Sequence, residues 1–248
     1  MPDIVHAVRD GVHYVTLNRP GKLNALTDDM MNELPRLVRE ISSDPKAVAI
    51  VLTGEGRAFC SGADLSLVAQ RQELDRRRAL PEPVGREVEL LRGCEVPLIS
   101  VVNGVAAGAG MWLACASDFR VMEAEASFLE AHVSIGVTPT AMCWLLPRLI
   151  GHARANEIIL TGRRVGAEEA LELGLVTTLA EVGDGMGAAQ EIIDALREMP
   201  SHAVRATRSV MQMSREGAPL DHLRATGSYL NRMSRLSGES VGIRGASQ

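Results

Sequence analysis

The chain has 248 residues and a formal charge of -5, with 46% hydrophobic but only 3% aromatic side chains. That length suits one large domain with an ample core, filled by Ala, Leu, Val and Met in close-packed helices rather than by an aromatic sandwich. The acidic balance excludes a general nucleic-acid binder, because neutralising phosphates needs clustered Lys and Arg, and the basic cluster Arg76-Arg77-Arg78 follows Glu73 and Asp75 as a solvated helix face would.

In chain order, IVHAVRDGVHYVTLNRP alternates on both sides of Asp10-Gly11, which predicts a β-hairpin. Thr27 then caps DDMMNELPRLVREIS, with Asp28 and Asp29 in the first turn and Pro35 expected to kink the helix. AVAIVLTG reads as a buried strand, and GEGRAFCSGADL as a glycine-punctuated loop. SLVAQRQELDRRRALPEPVG is polar, Arg-rich and broken by two prolines, which predicts a mobile stretch and one wall of a pocket.

Residues 96–117 carry no charge, and Gly104 with Gly108 gives a GxxxG spacing, so a membrane span is the first rival reading. Pro97, Ser100, Asn103 and three glycines interrupt the run, and no second apolar segment or flanking basic cluster accompanies it. The better parse is PLISVV as a buried strand, Asn103-Gly104 as a turn, and MWLACA as a buried helix entered through Gly108-Ala109-Gly110. DFRVMEAEASF predicts two short strands, LEAHVSIGVTP a helical turn ending at Gly136, and the remainder is nearly all helix, with a frayed GESVGIRGASQ. Strand-helix alternation followed by a helical block predicts an α/β fold with a parallel-leaning sheet.

Cys60, Cys94, Cys115 and Cys143 form no CxxC pair, the six histidines are scattered, and MPDIVHAVRD has no leader pattern. The expectation is a cytoplasmic protein without metal, disulfides or membrane attachment. Gly108-x-Gly110 is half of a dinucleotide fingerprint, lacking the third glycine, and no phosphate loop occurs. What remains is two glycine-rich turns after strands, VLTGEGRAFCSGADL and SVVNGVAAGAGMWLA. Each can expose backbone N–H groups near a helix start, and two such donors can hold one oxyanion.

NRPGKLNALT, AFCSGADL, PLISVVNGVAAGAG, TPTAMCWLLPRLIG and LTGRRVGAEEALELGLV, in that order, resemble the crotonase, or enoyl-CoA hydratase/isomerase, superfamily over nearly the whole chain. The resemblance implies a crotonase-like ββα spiral over residues 1–190 and a C-terminal helical trimerisation region over 191–248. It implies assembly as homotrimers or hexamers, and an acyl-CoA thioester substrate in fatty acid metabolism, with coenzyme A as part of the substrate and no tightly bound cofactor. Ala63 and Ala109 match the two oxyanion-hole N–H donors, with Gly108 in the same loop, and Leu23, Ala25, Asp64 and Leu65 match positions bordering CoA. The two hydratase glutamates match Trp112 and His132, and a third acid position used by some relatives matches Thr140.

An indole donates a hydrogen bond but takes no proton, so Trp112 shapes or fills the pocket. An unperturbed imidazole ionises near neutral pH, so His132 can shuttle a proton, and Glu130 is the neighbouring carboxylate. The expectation is therefore an enzyme of enolate chemistry, isomerisation before hydration. The alternative is an acyl-CoA-binding protein that has lost hydratase activity.

Overall fold

The computed structural model describes residues 2–64 and 94–236. Strands β1 (Ile4–Arg9) and β2 (Val12–Leu17) form the expected hairpin. Arg9 faces Val12, so the loop is only Asp10-Gly11, and both loop residues have positive φ, 49° and 75°. That is the conformation in which a two-residue loop follows strand twist.

Helix α1 (Asp28–Ser42) starts where Thr27 accepts the Met30 N–H at 3.2 Å. It runs on through Pro35, which lies on the buried face with Met30, Leu34, Val38 and Ile41.

The strands make two sheets. One has the order β1-β2-β3-β5-β7-β10, with β3 (Ala49–Gly54), β5 (Leu98–Val102), β7 (Phe119–Glu123) and β10 (Thr178–Ala180). From β2 onward its pairings are parallel. The other joins β4 (Ala58–Cys60), β6 (Val105–Ala107), β8 (Ser127–Leu129) and β9 (Arg164–Gly166), the last antiparallel. Strand β4 corrects the reading of residues 54–65 as loop throughout.

The uncharged run resolves into β5, β6 and helix α2 (Ala109–Ala116), and every residue of β5 and α2 is buried. Burial inside the fold accounts for its lack of charge. Among the described residues no helix is long and apolar enough to cross a membrane. The predicted mobile stretch, residues 66–85, and the tail after 236 lie outside the described residues.

The helical part follows. A 3-10 turn (Val133–Ile135) ends at Gly136 with φ 73°. Helix α3 (Thr140–Thr161) is interrupted at Gly151, which has φ 76° and ψ 158°. Then come α4 (Ala167–Glu172), α5 (Gly185–Arg197), α6 (Ser201–Arg215) and α7 (Leu220–Leu236). Helix α5 packs Ala189 and Ile193 on Val101 and Val121 of the large sheet. Its first turn is capped from a distance, because Glu123 accepts the N–H groups of Gly183 and Gly185 at 2.9 and 3.2 Å.

Helix α6 is fastened by arginines. Arg208, buried, binds Asp118 and the Cys94 carbonyl, and Arg205 donates to the carbonyls of Ser42 and Ala47 at 2.9 and 3.0 Å. A guanidinium presents several donors in a fixed fork and so can satisfy several carbonyls at once.

The hairpin carries a titratable pair. His6 and His13 stack with centroids 5.2 Å apart, His6 Nε2 lies 3.0 Å from His13 Nδ1, and Asp44 lies 3.6 Å from His13 Nε2. Burial first, and then the charge on His6, hold the His13 imidazole below its ordinary range, against an opposing pull from Asp44. A depressed histidine leaves the unfolded chain binding more protons than the folded one, so its contribution is complete above the unfolded value of about 6.5 and is lost as pH falls through the folded value. The melting temperature is accordingly expected to fall between pH 7.5 and 5. His13→Gln should flatten that slope in thermal melts followed by circular dichroism.

Candidate active site

Three segments meet where β4, β6 and β8 end. The first runs from β4 through Gly62, at φ 98°, to Ala63 and Asp64. Ala63 forms a parallel bridge with Leu26. The bonds of that bridge use its neighbours: Leu26 N–H donates to Gly62 O at 2.8 Å, and Asp64 N–H donates to Leu26 O at 2.9 Å. The Ala63 N–H therefore points away from the Leu26 segment, as the alternation of a parallel ladder requires.

The second segment leaves β6 through Gly108, at φ 50° and ψ -116°, into α2. Ala109 is the first helical residue, and a first-turn N–H has no acceptor within its own helix. A Cβ added to Gly62 would stand 3.6 Å from the Ala109 nitrogen, so the two turns touch.

Asparagines hold this arrangement. Asn103 donates to Gly54 O at 2.9 Å and Gly56 O at 2.8 Å, joining the second segment to the first. Asn24, fully buried with φ 55°, donates to Glu55 O at 2.9 Å and Ala58 O at 2.7 Å. Arg19 binds the Ala25 carbonyl and, at 3.2 Å, the Asp64 carboxylate. The Ser61 N–H donates to Leu23 O at 2.9 Å. Leu23, Ala25 and Asp64 thus lie beside the first turn as one unit, whereas Leu65 lies outside the described residues. The sequence reading missed Arg19, Asn24 and Asn103. For Asn24 the signal was the left-handed conformation that Asn tolerates, and for Asn103 the NG turn.

The third segment follows β8. The Gly108 N–H donates to Leu129 O at 2.9 Å, which sets Glu130 and His132 next to the second turn. A Cβ on Gly108 would lie 3.2 Å from His132 Cε1 and 3.7 Å from Nε2, so the imidazole edge rests on the residue preceding Ala109. His132 Nδ1 contacts Glu130 Oε1, and the His132 backbone N–H donates to that same oxygen at 3.2 Å. Glu130 is 0% exposed, and His132 keeps 27% of its side chain accessible.

Trp112 stands apart in character, 3% exposed and packed in the main core cluster. Thr140 is exposed at the start of α3. The thiols nearby are inert: burial pushes both Cys60 and Cys115 up to about 12. A cleft of about 1050 Å³ bordered by Ala124, Glu168 and Asp184 contains none of these residues.

A family model described as enoyl-CoA hydratase/isomerase matches residues 7–232. The chain belongs to the enoyl-CoA hydratase/isomerase family. It is 41% identical over 180 residues to a probable enoyl-CoA hydratase of Mycobacterium leprae, a match covering 68% of this chain but only 60% of that protein. A short-chain-enoyl-CoA hydratase of Clostridium acetobutylicum is 35% identical over 81% of this chain and 77% of its own length. Among solved structures, a putative enoyl-CoA hydratase from Streptomyces coelicolor superposes with a TM-score of 0.85 at 32% identity, covering 94% of this chain and 86% of that one. A monofunctional enoyl CoA isomerase from M. smegmatis gives 0.75 at 30% identity, covering 90% and 98%. The fold is thus the crotonase-like α/β spiral, with α5, α6 and α7 in its C-terminal part.

Proposed function

We propose that this member of the family binds an acyl-CoA thioester and stabilises its enolate oxygen between the N–H groups of Ala63 and Ala109, with His132 moving the proton. The observation that carries the reading is the pair of touching turns. One N–H faces away from its own bridge and the other begins a helix, where the helix dipole adds favourable charge. A thioester α-carbon becomes acidic enough to matter only when the oxygen formed is stabilised, and backbone donors do this without supplying a proton.

In this reading coenzyme A enters as part of the substrate. Leu23, Ala25 and Asp64 border it, and Gly108, Trp112 and Thr140 shape the acyl end. The two positions that match hydratase glutamates hold an indole and an imidazole, which favours moving a proton between carbons over adding water. The working assembly is a homotrimer or hexamer in the cytoplasm.

The test is a 3-enoyl-CoA thioester incubated with the protein in D2O. Absorbance of the conjugated 2-enoyl product and deuterium at the α-carbon, read by mass spectrometry, are the expected signals. The burial of Trp112 in the core favours a second reading, a non-catalytic acyl-CoA binder. Calorimetric binding with neither exchange nor turnover would establish it. A folded protein that binds no acyl-CoA overturns both.

A further inference from the structure

Proton transfer by His132 leaves one neighbouring group unexplained. Glu130 is 0% exposed, sets Oε1 against His132 Nδ1, and has no hydrogen-bond partner for Oε2 among the described residues. Burying a carboxylate with one oxygen unmatched is costly. A simple space-filling role would be met by an apolar residue, because the groups behind it belong to the core: the charge on Glu130 acts on the fully buried Cys115 of α2.

We propose that Glu130 is a positioning residue that fixes the tautomer of His132, so that Nδ1 carries the proton, donated to Oε1, and Nε2 faces the substrate as the base. This rests on the enolate reading above and adds to it a carboxylate-imidazole dyad in place of a lone histidine. The alternative division of labour, with Glu130 itself taking the substrate proton, is opposed by its burial and by the imidazole covering Oε1. His132 is the member of the pair that remains accessible, at 27%.

The step balances without a co-reactant. Nε2 takes the α-proton, the C–H electron pair forms the enolate, and its oxygen lies against the two N–H donors. The imidazolium then returns the proton to the γ-carbon: the thioester carbonyl is restored, the enolate π pair moves to make the α,β double bond, and the β,γ double bond breaks as its π pair takes the proton. The Glu130 carboxylate accepts from Nδ1 and stabilises the imidazolium between the two transfers, as a buried carboxylate does for a catalytic histidine elsewhere. Among the titratable groups near the pair are Cys115, neutral at working pH because burial pushes it to about 12, and beyond it Arg120, which reaches the Cys115 carbonyl at 3.4 Å.

Glu130→Gln, which keeps shape and an acceptor oxygen but removes the charge, is the test. Expected are a fall in kcat for isomerisation and α-deuterium exchange of about 10²-fold, the lower end of what general acid–base catalysis supplies, and little change in KM. The acidic limb of the kcat/KM profile should move to lower pH, because an imidazolium without its carboxylate loses its proton more readily. In a His132→Gln background the same substitution should have no further effect, since Glu130 acts only through the imidazole. An unchanged pH profile, or equal losses in both backgrounds, overturns the proposal while leaving the enolate reading intact. Absence of both turnover and exchange in the unmodified protein defeats that reading instead. Melting temperatures of all variants separate a folding defect from either result.

Discussion

Ala109→Pro is expected to lower thioester turnover by on the order of 10²–10³-fold, the loss found when one preorganised oxyanion donor is removed. The substitution is well suited to the question because Ala109 is the first residue of α2. That is the helix position where proline is tolerated best, its missing N–H being one that the helix never uses. The residue before a proline must be extended, and Gly108 at φ 50° and ψ -116° is the mirror image of such a conformation, open to glycine because it has no Cβ. Helix, sheet and cap should therefore survive while the donor is lost and the ring Cδ takes its direction. Turnover and α-deuterium exchange measure the first effect, and a melting temperature close to that of the parent verifies the second. Retention of full activity in a folded Ala109→Pro protein would remove the Ala109 amide from the chemistry.

What sequence could show depends on the range of the forces involved. The hairpin was legible because Asp10-Gly11 is a local device, and α1 was legible at its start because Thr27 caps a residue only three positions away. The strands β4 and β6, three residues each, have no periodicity to read. They exist because β4 and β6 pair with each other and β6 with β8, segments that are distant in the chain. The seating of α6 was hidden for the same reason, since Arg208 finds its acceptors at Asp118 and Cys94. In the site, glycine-rich turns and family resemblance indicated residues 63 and 109. The two-residue spacing of Glu130 and His132 was visible as well. Their relation was not, because Glu130 is buried only once the chain is folded and His132 takes its place from the approach of Gly108 to Leu129.

The approach of α2 to β4 makes a strong prediction for stability. A Cβ on Gly110 would stand 2.2 Å from the Cys60 carbonyl oxygen and 2.7 Å from Cys60 Cβ, distances at which backbone rather than a flexible side-chain tip must move. All of α2 is buried, so the helix has no solvent side toward which to retreat. Overpacking a close-packed core typically costs about 1–3 kcal/mol, and the collision here is with main chain, which places Gly110→Ala at roughly 3 kcal/mol or more. Gly227, inside α7, is the control, because nothing lies within 4 Å of its added Cβ. There alanine should stabilise by about 0.4–1 kcal/mol through helix propensity and a less flexible unfolded chain. Urea denaturation of the two variants should give midpoints displaced in opposite directions. Because the same contact sets Ala109 beside the first turn, Gly110→Ala protein that remains folded should also have lost turnover, whereas Gly227→Ala should keep it. Equal midpoints for the two would mean that α2 can slide away from β4, and the spacing of the two amides would then be far softer than a preorganised oxyanion site requires.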